Sequence, residues 1–307
     1  MKLREFHKDY WWPLVSGKVR ECTLVGYASI WRNHIEEPLG DMELGDISPR
    51  IIDAWLDSFK TPGVARRSFA VLRTMLRTAY KYELLEKDPT PKVLKLPPKR
   101  VVPQPTLTKG EVEQLIAGFE GHELEAWVTL MVVLGLRREE GCALLWDDID
   151  LDKGSVRITK GAQFINGRTV INPPKSPKGD RTVFIPRSRI ARIRSLAGDG
   201  CVTPYNPSHT AQAYKKHCVH NKLPYVPPKN LRTTFATLAV ADGWDVARIA
   251  TWMGHSDPAV TMTNYMHPRT EDLMELTGVW EPKEAVPAPA VEPEPDREPW
   301  YRRLFSM

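Results

Sequence analysis

Residues 87–105, KDPTPKVLKLPPKRVVPQP, hold six prolines and five lysines or arginines. Proline fixes φ and carries no amide hydrogen, so neither a continuous helix nor a paired strand can run through such a stretch. It must be an extended linker, and it divides the chain of 307 residues into two folding units. That division agrees with a prior of roughly 150 residues per domain. We therefore expect a helical domain over 1–86, the linker over 87–105 and a second domain over 106–280. A Pro/Glu/Ala-rich tail over 281–307 should be largely disordered and ends in WYRRLF.

Composition excludes several classes of protein. Hydrophobic residues make up 42% and charged residues 26%, the balance of a folded globular chain. The longest apolar stretch, 126–136, is well short of the roughly 20 residues a membrane span needs. The N-terminus MKLREFHKDYWW has no signal-peptide core, so a cytoplasmic protein with no membrane partner is expected. Cys22, Cys142, Cys201 and Cys218 form no C-x-x-C pair, which fits a reduced compartment. His217, Cys218 and His220 form a local HCVH run, but two histidines three apart on a helix read as surface polar residues, and no metal is expected.

The net charge is +5 and lies mainly in the first third: residues 1–100 carry 18 Lys+Arg against 13 Asp+Glu. Ser48-Pro49 supplies an N-cap and an N1 proline ahead of Ile51, Ile52, Trp55 and Leu56. Thr61-Pro62 repeats that start before an apolar stripe of Val64, Phe69, Leu72, Met75, Leu76 and Tyr80. Arg66, Arg67, Arg73 and Arg77 fall mostly off the stripe, giving a cationic face that is either solvated surface or a helix laid against phosphates.

After the linker, Thr108 and Glu111 form a capping-box pattern. An apolar helix near 123–135 and a short one near 139–146 follow. Residues 155–159, 169–171 and 181–186 alternate as strands of a small antiparallel sheet. Helices resume, one capped by Ser208, one ending at Gly243 and one at Gly254. The fold class is therefore mainly α with a small antiparallel β-sheet: a helical first domain and an α+β second domain. The second domain also carries Arg137, Lys175 or Lys178 in a strand-connecting turn, Arg232, His255 and Tyr265. Each is unremarkable alone.

In this order, within LGLRREE (134–140), PPKSPKGDRTVFIP (173–186), NLRTTFATLA (230–239) and WMGHSDPAVTMTNYMH (252–267), they resemble the tyrosine recombinases of the phage integrase type. The first hundred residues look like that family's core-binding domain, and the second domain like its catalytic domain. The resemblance implies that Arg137 and Arg232 are the two catalytic arginines, Lys175 the hairpin lysine, His255 the histidine of the GHS step and Tyr265 the nucleophile. Glu140 matches the supporting acid, and Lys178, three residues beyond Lys175, remains the other candidate for the hairpin role. Lys229 stands where the family usually has histidine, as a base of lowered pKa or, as we favour, a phosphate-binding cation.

The chemistry is coherent. Guanidiniums can brace the non-bridging oxygens of a phosphodiester bidentately, without a metal or other cofactor. Tyrosine attack leaves a 3′-phosphotyrosyl bond and a 5′-hydroxyl that the lysine protonates. The resemblance further implies double-stranded DNA with core-type attachment sites as partner and a homotetramer on that DNA. It leaves room for a host DNA-bending protein. With the core-binding domain starting almost at Met1, direct recognition of short core sites is expected. A regulator that has lost catalysis and a DNA-relaxing topoisomerase of the same chemistry are the alternatives.

Overall fold

The computed structural model describes residues 1–98, 104–174 and 176–254. Lys175, His255 and Tyr265, together with the tail over 281–307, lie outside the described residues. All the described residues fall in one compact unit, within which two large hydrophobic cores and a smaller third around Ala236, Ile249 and Met253 form.

The first core is built by helices. Helices α1 (Leu3–Phe6) and α2 (Trp12–Ser16) join through a π-helical turn, His7–Trp11. Helices α3 (Glu21–Ile30) and α4 (Glu36–Leu39) join through a second, Trp31–Ile35. The two π turns meet face to face: the rings of His7 and Trp31 stack at 3.9 Å and 4°. Helix α5 (Pro49–Asp57) starts as expected, with the Ser48 hydroxyl accepting from the Ile51 amide. Helix α6 (Pro62–Lys81) buries Phe69, Leu72, Met75 and Leu76. Tyr80, assigned to the same stripe by its spacing, is instead 47% exposed, because Ala79 takes the inward position at that turn.

The first part of the proline-rich segment is a strap laid on this core. Asp53 accepts from the amides of Leu94 and Lys95, and Val93 and Leu96 pack against the core. Two of the arginines on α6 hold it down. Arg66 donates to the Pro97 carbonyl at 2.5 Å, and Arg77 lies 3.9 Å from Asp88. Arg67 and Arg73 are exposed.

The second core is enclosed by α7 (Lys109–Gly118), α8 (Glu125–Leu134), the short α9 (Arg138–Gly141) and a sheet. The Thr108–Glu111 capping box forms in both directions. The expected helix near 139–146 stops at Gly141, and a 3-10 turn, Trp146–Asp148, precedes the sheet. Strands β1 (Ile149–Asp150), β2 (Ser155–Ile158), β3 (Gly161–Ile165), β4 (Arg168–Asn172) and β5 (Arg181–Phe184) form two sheets, not one. The first is antiparallel in the order β1-β2-β5; β3 and β4 pair only with each other, as a hairpin inserted between β2 and β5. The hairpin turns through Asn166 and Gly167, both at positive φ.

Helices α10 (Arg187–Ser195), α11 (Pro207–His220), α12 (Pro228–Ala241) and α13 (Val246–Met253) complete the lobe. Asn206, not Ser208, caps α11: its Oδ1 accepts from the amides of Ser208 and His209, and Pro207 takes the first helical position. The HCVH run is divided by the turn of α11. Cys218 is in the core, His217 Nε2 lies 2.8 Å from the Gly118 carbonyl, and His220 is exposed. Among the described residues no helix is long and apolar enough to cross a membrane.

Candidate active site

Helix α8 ends at Gly135, whose φ of +61° suits a residue without Cβ; a side chain there would also drive into Phe235, 2.5 Å away. The turn sends Leu136 into the core and leaves Arg137 at the start of α9. Glu140, one turn later, points back: its Oε2 accepts from the Arg137 amide at 2.8 Å and its Oε1 from Arg137 Nη1 at 2.6 Å.

Glu140 is the hub of a cluster drawn from four parts of the chain. Arg181, at the start of β5, donates to both carboxylate oxygens, Nη1 to Oε1 at 3.0 Å and Nη2 to Oε2 at 2.9 Å. Arg232, on α12, brings Nη1 within 3.8 Å of Oε2. Side-chain exposure separates these groups: Arg181, Arg232 and Glu140 are 7%, 6% and 8% exposed, and Arg137 is 37% exposed. Burial alone would raise the Glu140 pKa. The hydrogen bonds and charge of Arg181, then the charges of Arg232 and Arg137, outweigh it and hold the carboxyl down at about 2. Three guanidiniums against one carboxylate leave a net positive site, suited to an anion.

The same three arginines grip the end of α13. Arg181 Nε donates to the Trp252 carbonyl at 2.7 Å, Arg232 Nη2 to Met253 at 2.7 Å and Arg137 Nη2 to Gly254 at 3.1 Å. Carbonyls at a helix C-terminus have no intrahelical partner and carry the negative end of the dipole, so cations are stabilising there. Arg232 Nη1 also donates to the Gly135 carbonyl at 2.9 Å, tying the end of α8 into the cluster. Gly254 adopts φ +65°, and a Cβ there would meet the Lys178 carbonyl at 2.6 Å. The end of α13 is thus seated against the loop between β4 and β5, one residue before His255.

Arg137 opens onto a cavity of about 220 Å³ lined also by Arg20, Glu139, Lys160, Asn172 and Ser176. Arg20, from the first lobe, donates to the Pro174 carbonyl at 3.0 Å, next to Lys175. Lys160 reaches the cavity wall from the end of β2 and pairs with Asp148 at 2.9 Å. Of the residues singled out by the sequence, Arg137, Glu140 and Arg232 come together. Lys178 is exposed on the loop beside the cluster, and Lys229 is exposed at the start of α12, one turn before Arg232. Arg66, Arg67, Arg73 and Arg77 lie on α6 in the other lobe.

Arg181, Lys160 and Arg20 carry no mark in the sequence that sets them apart. Arg181 stands in the quoted RTVFIP run, but an arginine beginning a half-exposed strand has no local signature of burial. Arg20 and Lys160 are marked only by the cavity they share.

The description phage integrase family matches residues 105–272, and that of a phage integrase N-terminal SAM-like domain matches residues 3–60. A tyrosine recombinase XerC-like protein of Caldanaerobacter subterraneus subsp. tengcongensis is 24% identical over 291 residues, spanning 81% of this chain and 74% of the relative. Among solved structures, the Tn1549 transposon integrase in complex with a circular intermediate DNA is similar at a TM-score of 0.75. It is 15% identical, and the match covers 91% of this chain and 99% of that one. A lambda integrase tetramer bound to a Holliday junction matches at a TM-score of 0.65 and 18% identity, over 88% and 80% of the two chains.

Proposed function

This chain belongs to the phage integrase family and is a tyrosine-type site-specific DNA recombinase, and on that premise we propose that the Arg137–Glu140–Arg232 cluster holds the scissile phosphate for attack by Tyr265. The observation that carries the reading is the convergence of Arg137 and Arg232, far apart in sequence, on one buried carboxylate. Arg137 presents its exposed edge to the incoming anion, with Arg232 behind it. Both terminal nitrogens of Arg232 donate to carbonyls, which fixes its guanidinium behind Arg137.

The Tyr265 oxygen bonds to phosphorus as the bond to the 5′-oxygen breaks. That oxygen takes a proton from Lys175, or from Lys178 if the turn presents it instead, while His255 and Lys229 add donors to the phosphate. A phenol with an ordinary pKa near 10 gives up its proton to solvent as attack proceeds, and a cationic surrounding favours the phenolate. The phosphotyrosyl linkage conserves the phosphodiester bond, so a 5′-hydroxyl from another strand can reverse the step without ATP. The partner is DNA; core-type sites, a homotetramer on them, a host bending protein and a bacterial cytoplasmic setting belong to the same proposal. In the same reading the exposed Arg67 and Arg73 on α6 bind phosphates, with Arg66 and Arg77 joining them if the strap shifts.

A nicked suicide duplex tests the reading, using the site that the full chain footprints on the DNA flanking its own gene. A covalent adduct that disappears in Tyr265→Phe while DNA binding persists is the expected result, and an unchanged adduct would refute the nucleophile assignment. Strand transfer between two duplexes separates the recombinase from a topoisomerase, and no adduct at all would favour a regulator.

A further inference from the structure

We infer that Arg181 is a positioning residue for strand cleavage: it locks Glu140, the lysine-bearing loop and the end of α13 into one arrangement, and so aims Arg137 at the phosphate. The inference rests on the active-site reading above and extends it to a buried residue outside the set that the sequence singled out.

The geometry is that of a rivet. One planar guanidinium makes a two-point contact with Glu140, at 3.0 and 2.9 Å. Its remaining nitrogen donates to the Trp252 carbonyl at 2.7 Å, and Nη1 also reaches the Gly179 carbonyl at 3.3 Å. Gly179 is in the loop that carries Lys178, and Trp252 is three residues before His255. A Cβ on Gly254 would lie 3.1 Å from Arg181 Cδ and 2.6 Å from the Lys178 carbonyl, so loop, arginine and helix end are in close packing. Arg137 is held by the same carboxylate. Loss of Arg181 frees Glu140 to rotate, and Arg137 follows. A lysine cannot reproduce this, because a point charge makes neither the fork nor the third bond.

The electrostatics supply a readout that a merely structural role would not move. Arg181 is the foremost of the groups holding the Glu140 carboxyl low. Among the described residues, Arg137 faces it from its own turn, Arg181 from β5 and Arg232 from α12, while Glu139 and Lys160 line the adjoining cavity. Without Arg181, burial dominates and the carboxyl rises toward or above its ordinary value. Cleavage that depends on ionised Glu140 to orient Arg137 should then fail at a higher pH than in the parent.

The test follows covalent adduct formation on the nicked suicide duplex against pH, together with DNA affinity and Tm, in the full chain. Arg181→Gln is expected to bind DNA within about twofold of the parent, to cleave at roughly a hundredth of its rate and to lose activity on acidification earlier. Adding Glu140→Gln should remove that displaced acid limb, since an amide does not titrate. If Arg181→Gln fails to fold, Arg181→Lys carries the test, with cleavage slowed at least tenfold at unchanged affinity. Parental rate and pH profile in Arg181→Lys would overturn the inference, as would a slowing in Arg181→Gln that is equal at every pH. A Tyr265→Phe chain that still forms adduct would overturn the active-site reading itself, whereas loss of adduct there with normal cleavage in Arg181→Lys would overturn this inference alone.

Discussion

At the scale of the residue, the cluster around Glu140 illustrates why buried ion pairs fix geometry more than they stabilise. Bringing Glu140 and two guanidiniums out of water costs about as much as their attraction returns, but removing one partner leaves uncompensated charge. Glu140→Ala should therefore destabilise the chain by about 3–5 kcal/mol, measured by urea denaturation. Its folded pKa of about 2 lies below the ordinary 4.5, so the unfolded state binds protons first. The contribution is full above pH 4.5 and is lost as pH falls toward 2. Arg137→Lys and Arg232→Lys should each slow cleavage by roughly 10²–10³, since a point charge cannot form the planar fork, and single-turnover cleavage would show it.

His7 acts in the same sense over a higher pH range, with burial as the only cause of its shift. It is stacked on Trp31, its Nε2 is buried with no hydrogen-bond partner among the described residues, and that burial lowers its pKa from 6.5 to about 4. The neutral ring is the folded form, so stability is intact above pH 6.5 and declines as pH falls toward 4. Between pH 7.5 and 5 the first lobe should lose about 2 kcal/mol, and a His7→Phe chain should lose the part due to this residue.

At the scale of the element, helix ends do the positioning. Ser48 caps α5 and Asn206 caps α11, each worth about 1 kcal/mol against alanine. Gly254 does more, because its left-handed backbone lets the end of α13 meet the Lys178 carbonyl. Gly254→Ala should cost more than about 1 kcal/mol in Tm-derived stability and reduce adduct formation, since either the helix end or the loop must retreat. Helix α6 has two kinds of arginine. Arg66 and Arg77 hold the strap, whereas Arg67 and Arg73 are exposed. Replacing Arg67 and Arg73 by glutamine should lower the salt slope of DNA binding by about one for each phosphate that is no longer neutralised. An unaltered slope would mark that face as solvated surface.

At the scale of the molecule, two cores are linked by a few polar contacts at the inserted hairpin. Arg168 on β4 forks onto Glu21 at 2.9 and 2.8 Å, and Arg20 reaches the Pro174 carbonyl. With Arg168 68% and Glu21 32% exposed, the pair is screened by solvent. Replacing both by alanine should cost no more than about 1 kcal/mol in denaturant titration.

The sequence by itself determined what depends on neighbours along the chain. The Ser48-Pro49 and Thr108–Glu111 starts and the glycine stop at Gly254 are local backbone chemistry, and each was legible. Strand β3 was not, because GAQFI has little β-branched character and is a strand only through its pairing with β4. Ser208 looked like a cap, but the choice between it and Asn206 turned on where Pro207 fell in the first helical turn. Through the resemblance of its motifs to the phage integrases, the sequence also named Arg137, Glu140 and Arg232 as candidates for one site. Only the tertiary structure decided that Arg181 belongs with them. Its burial is created by α9, β5, α12 and the end of α13 closing on one another, and the charge balance of a packed site depends on such contacts between distant segments.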